Sequence, residues 1–499
     1  MDPKETYDLC VIGCGPAGFA GAMRAFDLGK RVLIVEKDEI GGAGVKWGAL
    51  ASKTFWELSN DYHVAAKTDR GYQASGLHPD YQSVMDTVDR AVKEKQYQML
   101  SQIETFSERR WKGPGSITLK RGCGTFTSPG LLEISGIEAV SETIQASFFL
   151  VATGSKPRAF PGIPFDHTRI LSSDSILTLK RFPKRLVIIG AGVVGCEYAT
   201  IFSNYNQTRV FLVDHAASVI PYEDDDVSRF VNTCLLNNGV EIFHSAALKE
   251  IVQKKDHLDV VLDFAEGSSQ IVEADAALIS IGREPNLSCL SLKNAGVTPD
   301  QTGRIATDAA CRAAERIYAA GDVTHFPSLV NIAEMEARHA VSTMFGEVST
   351  PLSYKDMSTI MFFQPAVASV GMGEKTCRKK NIAYRAAYFS NAFLPRAIAM
   401  RAINGFVKII ATDEENPKIL GMRAAGPQVS GMAMAVAFAM KRGEGVQEML
   451  GSLYPHPTMS EALQECMRML ISGSTFKPHA FPGRLRTWSW DSSKEKLIP

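Results

Sequence analysis

The feature that most constrains this chain is a glycine fingerprint that occurs twice. Tyr7 to Gly18 reads YDLCVIGCGPAG, an apolar strand running into a turn with glycines at Gly13, Gly15 and Gly18. Phe19 to Leu28 continues as a helix, and Arg31 to Val35 is the next strand, closed by Glu36. Leu186 to Asp214 repeats the pattern: strand LVIIG, glycines at Gly190, Gly192 and Gly195, a helix, then strand RVFLVD ending in Asp214. In such a unit the first glycine permits a tight turn and the second lets the backbone approach a pyrophosphate. The third lets helix and strand pack closely, and the helix N-terminus faces the phosphate charge. Two complete copies predict two dinucleotide sites on two Rossmann-like domains of an α/β protein.

The acids that close the two units, Glu36 and Asp214, are placed to accept hydrogen bonds from a ribose. A carboxylate at Asp214 favours the free 2′-hydroxyl of NAD and repels the 2′-phosphate of NADP. His215 softens that bias when protonated, so NADP(H) stays a second candidate. A chain of 499 residues holds about three domains. Lys plus Arg equals Asp plus Glu at 54 each, so charge gives no reason to expect a nucleic acid or an acidic membrane surface as partner. Nine cysteines, single except for Cys10 and Cys14, do not make a secreted disulfide framework, and they fit a reducing, cytoplasmic setting. Cys10 and Cys14 read as small buried residues, and no metal site is expected. Met1 to Thr6 are polar and leave no room for a targeting peptide before the first strand. Met432 to Met440 is the most apolar stretch, too short to span a bilayer, and reads as a buried helix.

Ile40 to Lys53, IGGAGVKWGALASK, resembles the redox-active helix of the flavin-dependent pyridine nucleotide-disulfide oxidoreductases, which reads roughly GGTCLNVGCIPSK. Gly41, Gly42, Gly48, Ser52 and Lys53 keep the frame. Gly44 and Ala49 stand where that family has its two cysteines, and neither side chain can form a disulfide. Three further segments carry the same resemblance: Gly122 to Phe126 (GCGTF), Phe148 to Ser155 (FFLVATGS) and Arg316 to Val323 (RIYAAGDV). The resemblance implies FAD held by Gly13, Gly15, Gly18, Glu36, Gly42, Lys53, Gly124, Thr153, Gly154, Asp322, Leu329 and Val330. It implies NAD(H) held by Gly190, Gly192, Val193, Val194, Gly195, Asp214 and, in DAALISIGREPN, Gly282. Glu197 matches the family's glutamate beside the nicotinamide, which pairs with the lysine matched by Lys53. A lysine near the flavin would stabilise the charge developing on the reduced ring. Tyr454 to Glu461, YPHPTMSE, resembles the signature around the catalytic histidine, with His456 as the base and Glu461 as the carboxylate that orients it.

The layout implied is an FAD domain in two parts (1–155 and 287–353), an inserted NAD(P) domain (156–286), an α+β dimerisation domain (354–480) and a tail (481–499). Alternating strands FFQPAVASVG, YRAAYFSN, GFVKIIATD and KILGMRAAG, then a helix from Gly431 to Arg442, mark the dimerisation domain. The tail is left open between a packed arm and a disordered end. The function expected is hydride transfer between a nicotinamide nucleotide and FAD without a redox disulfide, with a small-molecule acceptor, in a homodimer. That describes a soluble transhydrogenase or a diaphorase that reduces quinones. The alternatives are a dihydrolipoamide dehydrogenase-like enzyme with a relocated thiol, for which Cys466 is the candidate weighed and read as a core residue, and a non-catalytic flavoprotein subunit.

Overall fold

The computed structural model describes residues 6–136, 141–325, 327–347, 350–492 and 494–498. Residues 1–5, the start of the polar lead, lie outside them. The chain divides into two compact units, Met1–Phe182 with Leu278–Leu352, and Pro183–Ala277 with Ser353–Pro499.

The first unit is built on parallel strands in the order Ile317–Ala319, Ser141–Val151, Thr6–Ile12, Arg31–Glu36 and Ser116–Arg121. Thr6–Ile12 lies in the middle, which is why its sequence is nearly all apolar rather than alternating. Helix Pro16–Asp27 begins with proline, whose missing N–H costs nothing in a first turn. It packs on helix Val330–Met344. The hairpin Cys123–Ser128 and Leu131–Ser135 continues antiparallel onto the start of Ser141–Val151. Tyr7, Phe126, Phe149 and Leu290 belong to one buried cluster beneath it. Ile40 to Lys53 is not one helix. A short helix Gly42–Lys46 stops at Trp47, whose φ of −128° breaks the spiral, and a second runs from Leu50–Ala65, well past Lys53.

The second unit repeats the glycine-turn architecture. Its parallel strands run Glu241–Phe243, Arg209–Val213 and Arg185–Ile189. Helix Val193–Asn204 is buried from Gly195 onward, as expected of a helix with little polar face. A seven-stranded antiparallel sheet follows in the order Ser358–Met361, Val367–Gly371, Ile419–Ala425, Phe406–Thr412, Tyr384–Ser390, Leu485–Asp491 and Lys494–Leu497. Of FFQPAVASVG only Val367–Gly371 is strand; it pairs antiparallel with Ser358–Met361, which precedes the segment, and Pro365, with no N–H for a ladder, lies in the turn between them. The helix read from Gly431 runs Val429–Arg442, and it is only half buried. Val436 is fully covered, but Met434 and Phe438 are 74% and 63% exposed. The sequence from 481 is a packed arm. Leu485–Asp491 pairs along Tyr384–Ser390, burying Trp488 and stacking Trp490 on Tyr384 at 5.8 Å.

A buried ion cluster ties this sheet to the segment after Arg209–Val213. The ammonium of Lys408, fully enclosed, bonds Asp224 at 2.9 Å, Asp226 at 2.7 Å and Glu374 at 2.7 Å. Beside it Arg423 bonds Glu223 at 2.6 Å. Among the described residues, Asp224, Asp226 and Glu374 are the one carboxylate group compact enough to hold a metal ion, and Lys408 fills it.

Candidate active site

The two glycine turns share a backbone angle and a hydrogen bond. Gly13 has φ 101° and its N–H bonds Val35, while Gly190 has φ 103° and its N–H bonds Val213, both at 2.8 Å. A side chain on Gly18 would run into the carbonyl of Gly13, so that glycine is a packing requirement. Glu36 accepts from the N–H groups of Cys14 at 2.6 Å and Asp38 at 2.8 Å. Asp214 accepts from Ala191 at 2.5 Å and Ala216 at 2.8 Å. Each acid therefore braces its own turn with one oxygen. Burial raises the Glu36 carboxyl above its ordinary value, against the pull of those N–H donors.

In the first unit a cavity of about 320 Å³ opens beside the first turn. Gly13, Glu36, Gly42, Gly124 and Thr153 line it, five of the residues expected to hold FAD. Gly15, Gly18, Gly154, Asp322, Leu329 and Val330 are not in its wall. The Thr153 hydroxyl is buried without a hydrogen-bond partner. A concave wall of glycines with an orphaned hydroxyl fits a dinucleotide that brings its own polar groups. Asp322 accepts from the Ser155 hydroxyl at 2.5 Å, and Arg283 donates to Ser155 at 2.8 Å and to Asp174 at 2.6 Å. Buried Glu336 holds the N–H of Gly321, the residue before Asp322, at 2.7 Å. Arg283 and Glu336 escaped sequence reasoning, although Arg283 directly follows Gly282. Lys53 sits on helix Leu50–Ala65 with its ammonium 3.3 Å from the Ser52 hydroxyl.

The space beside Gly44 is occupied. A Cβ there would meet Pro16 ring atoms and lie 3.3 Å from a methyl of Val330. The ring and the methyl fill the room that a cysteine would need.

In the second unit, Gly192 caps helix Val193–Asn204 in an extended conformation. The hydroxyl of Tyr222 lies near the N–H of Val193, at the helix end expected to meet the NAD pyrophosphate. Desolvation of its hydroxyl, then the charges of Glu223 and Glu197, raise the Tyr222 phenol although the residue as a whole is 60% exposed. Tyr222 also escaped the sequence reading. A signal was present, since it sits in IPYEDDD between the second turn's acid and the next helix. Val194 follows Val193 in the first helical turn. Glu197 is buried and accepts from the N–H of Phe362 at 3.0 Å, so it is not a surface residue. Gly282, assigned to NAD, belongs to the first unit. At the far end of the second unit, Nδ1 of His456 lies 2.8 Å from Glu461, whose other oxygen accepts from the N–H of Thr458 at 2.9 Å. Carboxylate and loop thus fix the ring and present its other nitrogen outward.

The pyridine nucleotide-disulphide oxidoreductase signature matches residues 7–337, and the dimerisation-domain signature of the same family matches 357–467. The chain belongs to this family. It is 30% identical over 467 residues to dihydrolipoyl dehydrogenase 1, mitochondrial, of Arabidopsis thaliana, covering 93% of this chain and 90% of that protein. It is 29% identical over 472 residues to dihydrolipoyl dehydrogenase of Bacillus subtilis, covering 94% and 97%. Among solved structures it resembles LpdA of Mycobacterium tuberculosis, with a TM-score of 0.83 and 25% identity over 93% of this chain and 99% of that one. The disulfide reductase RclA of Escherichia coli shares the fold, with a TM-score of 0.81 at 24% identity over 93% and 100%.

The protein is thus an oxidoreductase of a family that works with FAD and NAD(H), and it carries that family's dimerisation domain. No helix among the described residues is long and apolar enough to cross a membrane. All nine cysteines are free thiols, none within Ile40 to Lys53. Burial holds the thiols of Cys10, Cys196 and Cys466 far above their ordinary range and that of Cys14 up to about 12. A thiol held protonated is a poor electron relay.

Proposed function

We propose that this enzyme moves hydride between a nicotinamide nucleotide and FAD without a redox disulfide, delivering electrons to a second nicotinamide or to a small acceptor such as a quinone. The carrying observation is Gly44, where Pro16 and Val330 occupy the place of a thiol. FAD, when bound, supplies the two-electron chemistry. Gly13, Glu36, Gly124 and Thr153 would hold it through backbone approach, a ribose-accepting carboxylate and a free hydroxyl. The second glycine turn and Asp214 would bind the nicotinamide nucleotide, with NADH preferred because a carboxylate there repels a 2′-phosphate. Glu197, buried and anchored by Phe362, and Lys53 would form the charge pair that supports transfer. Their pairing belongs to the proposal. The exposed apolar side chains of Met434, Phe438 and Leu453, in or beside the dimerisation domain, support a homodimer that covers them.

The test is anaerobic titration of the yellow, FAD-loaded protein with dithionite, followed by an acceptor screen with NADH. Uptake of two electrons per active site, no thiolate-to-flavin charge-transfer band, and turnover with quinone or a second nicotinamide nucleotide are expected. Lipoamide reduction by NADH that is lost on thiol alkylation would establish a relocated catalytic dithiol instead.

A further inference from the structure

Seven of the nine cysteines are buried, and the two that are not line the same cavity. Cys123 opens strand Cys123–Ser128, and Cys289, exposed, lies in the loop after Asn286. The fold brings them to the same wall although 166 positions separate them in the chain. The backbone holds the pair in place. Thr125, two residues along the strand and so on the same face as Cys123, donates to the carbonyl of Cys289 at 2.8 Å. Phe126 donates to the carbonyl of Leu290 at 2.9 Å, and Asn294 donates to the carbonyl of Phe126 at 2.8 Å. Both cysteines line the cavity that contains Glu36 and Gly124.

We propose that Cys123 and Cys289 form a reversible disulfide, made by hydrogen peroxide and undone by dithiols, that clamps the wall of the FAD cavity. Cys289 is the accessible attacking thiol. Its sulfur attacks one peroxide oxygen, the O–O bond breaks, and hydroxide leaves as water. Cys289 becomes a sulfenic acid, oxidised by two electrons while the peroxide is reduced. The Cys123 sulfur then attacks the Cys289 sulfur, the S–O bond breaks, and a second water carries away the Cys123 proton. Two thiols and one peroxide give one disulfide and two waters. Burial and the neighbouring Cys289 raise the Cys123 thiol, which suits it to resolve rather than to attack. The disulfide would join the strand to the loop across the existing hydrogen-bonded seam. It would thereby suppress the local opening through which a bound dinucleotide leaves. This consequence rests on the cavity holding FAD; the disulfide itself does not.

The experiment uses the full-length, FAD-loaded enzyme, treated with hydrogen peroxide and digested without reductant. A linked peptide pair containing Cys123 and Cys289, lost after dithiothreitol, is expected. Cys123→Ser should instead drive Cys289 on to the sulfinic acid, and Cys289→Ser should leave Cys123 a thiol. Peroxide should slow flavin release, followed by fluorescence, several-fold in the wild type and should not alter the rate of either variant relative to its own untreated form. Sulfinic acid at Cys289 with no cross-link in the wild type would overturn the proposal, as would a cross-link that leaves flavin release unchanged. A preparation that never takes up FAD would count against the cavity assignment alone, since the peptide map reads the disulfide without flavin.

Discussion

The ring of Pro16 occupies the space in which a side chain on Gly44 would begin, with its Cδ 3.0 Å from the Cβ position. Gly44→Cys therefore overpacks the start of helix Pro16–Asp27. We expect destabilisation of about 1–3 kcal/mol, read as a lower unfolding temperature, with Gly44→Ala affected similarly. Gly44→Cys combined with Ala49→Cys should not regain a charge-transfer band on reduction. A stable double variant with that band would show that the pocket yields easily.

His456 and Glu461 keep the geometry of a proton shuttle, yet no thiol stands at Gly44 or Ala49 to use it. His456→Gln should leave the stopped-flow rate of flavin reduction by NADH within about twofold, a difference below ~0.5 kcal/mol. Any loss should fall on the second half-reaction. Collapse of flavin reduction itself would give the histidine a different task.

Tyr222 brings its hydroxyl near the Val193 N–H, a donor the nucleotide phosphate would need, so phenol and phosphate would compete for it. Tyr222→Phe removes a contact worth about 1 kcal/mol, so NADH should bind roughly fivefold more tightly, measured calorimetrically. Weaker binding would mean that the phenol contacts the nucleotide instead.

Two neighbouring carboxyls in the Lys408 cluster behave oppositely. Burial works against the Asp224 carboxyl, but the charges of Lys408 and Arg423 outweigh it and hold the group below its ordinary value. Burial dominates at Asp226 and pushes it up despite Lys408. A depressed folded value means stability that is present above the unfolded carboxyl range, near pH ~4, and that drains as pH falls through the folded value. Asp224 also accepts from the N–H groups of Glu374 and Lys375, both at 3.1 Å. Asp224→Asn should cost about 1.5–3 kcal/mol at pH 7, with the difference from wild type shrinking as pH falls below the carboxyl range. A raised folded value works the other way: ionised Asp226 costs stability at neutral pH, so Asp226→Asn should be nearly neutral or stabilising. Urea unfolding at pH 7 and in acid separates the two, and equal losses would refute the assignment.

Both glycine turns, their strands and their closing acids were legible in the sequence because each residue has a local reason to be there. Gly18 faces the carbonyl of its own motif's first glycine, and Glu36 bonds a residue within that same turn. The His456 and Glu461 pair was legible because five positions and one loop join them. Partners brought together by the fold were not. Arg283 meets Ser155, Cys123 meets Cys289 and Lys408 meets Asp224 from segments more than a hundred residues apart. The occupied space at Gly44 was hidden for the same reason. A missing side chain looks like a hole in the sequence, and only packing shows that Val330 has closed it.

The arm formed by Leu485–Asp491 and Lys494–Leu497 also governs how this protein behaves in a crowded solution. An open sheet edge is a template for another chain, and a flat, aromatic edge is the most hazardous kind. Without its outermost strand the sheet would end on Trp488 and Trp490, paired on one side only. Lys494, Glu495 and Lys496 stand there instead, exposed and charged, with Glu495 held by Arg378 at 2.8 Å. The outermost strand thus works as a gatekeeper against aggregation, keeping an aromatic edge from recruiting copies of itself while the rest of the enzyme stays free to work.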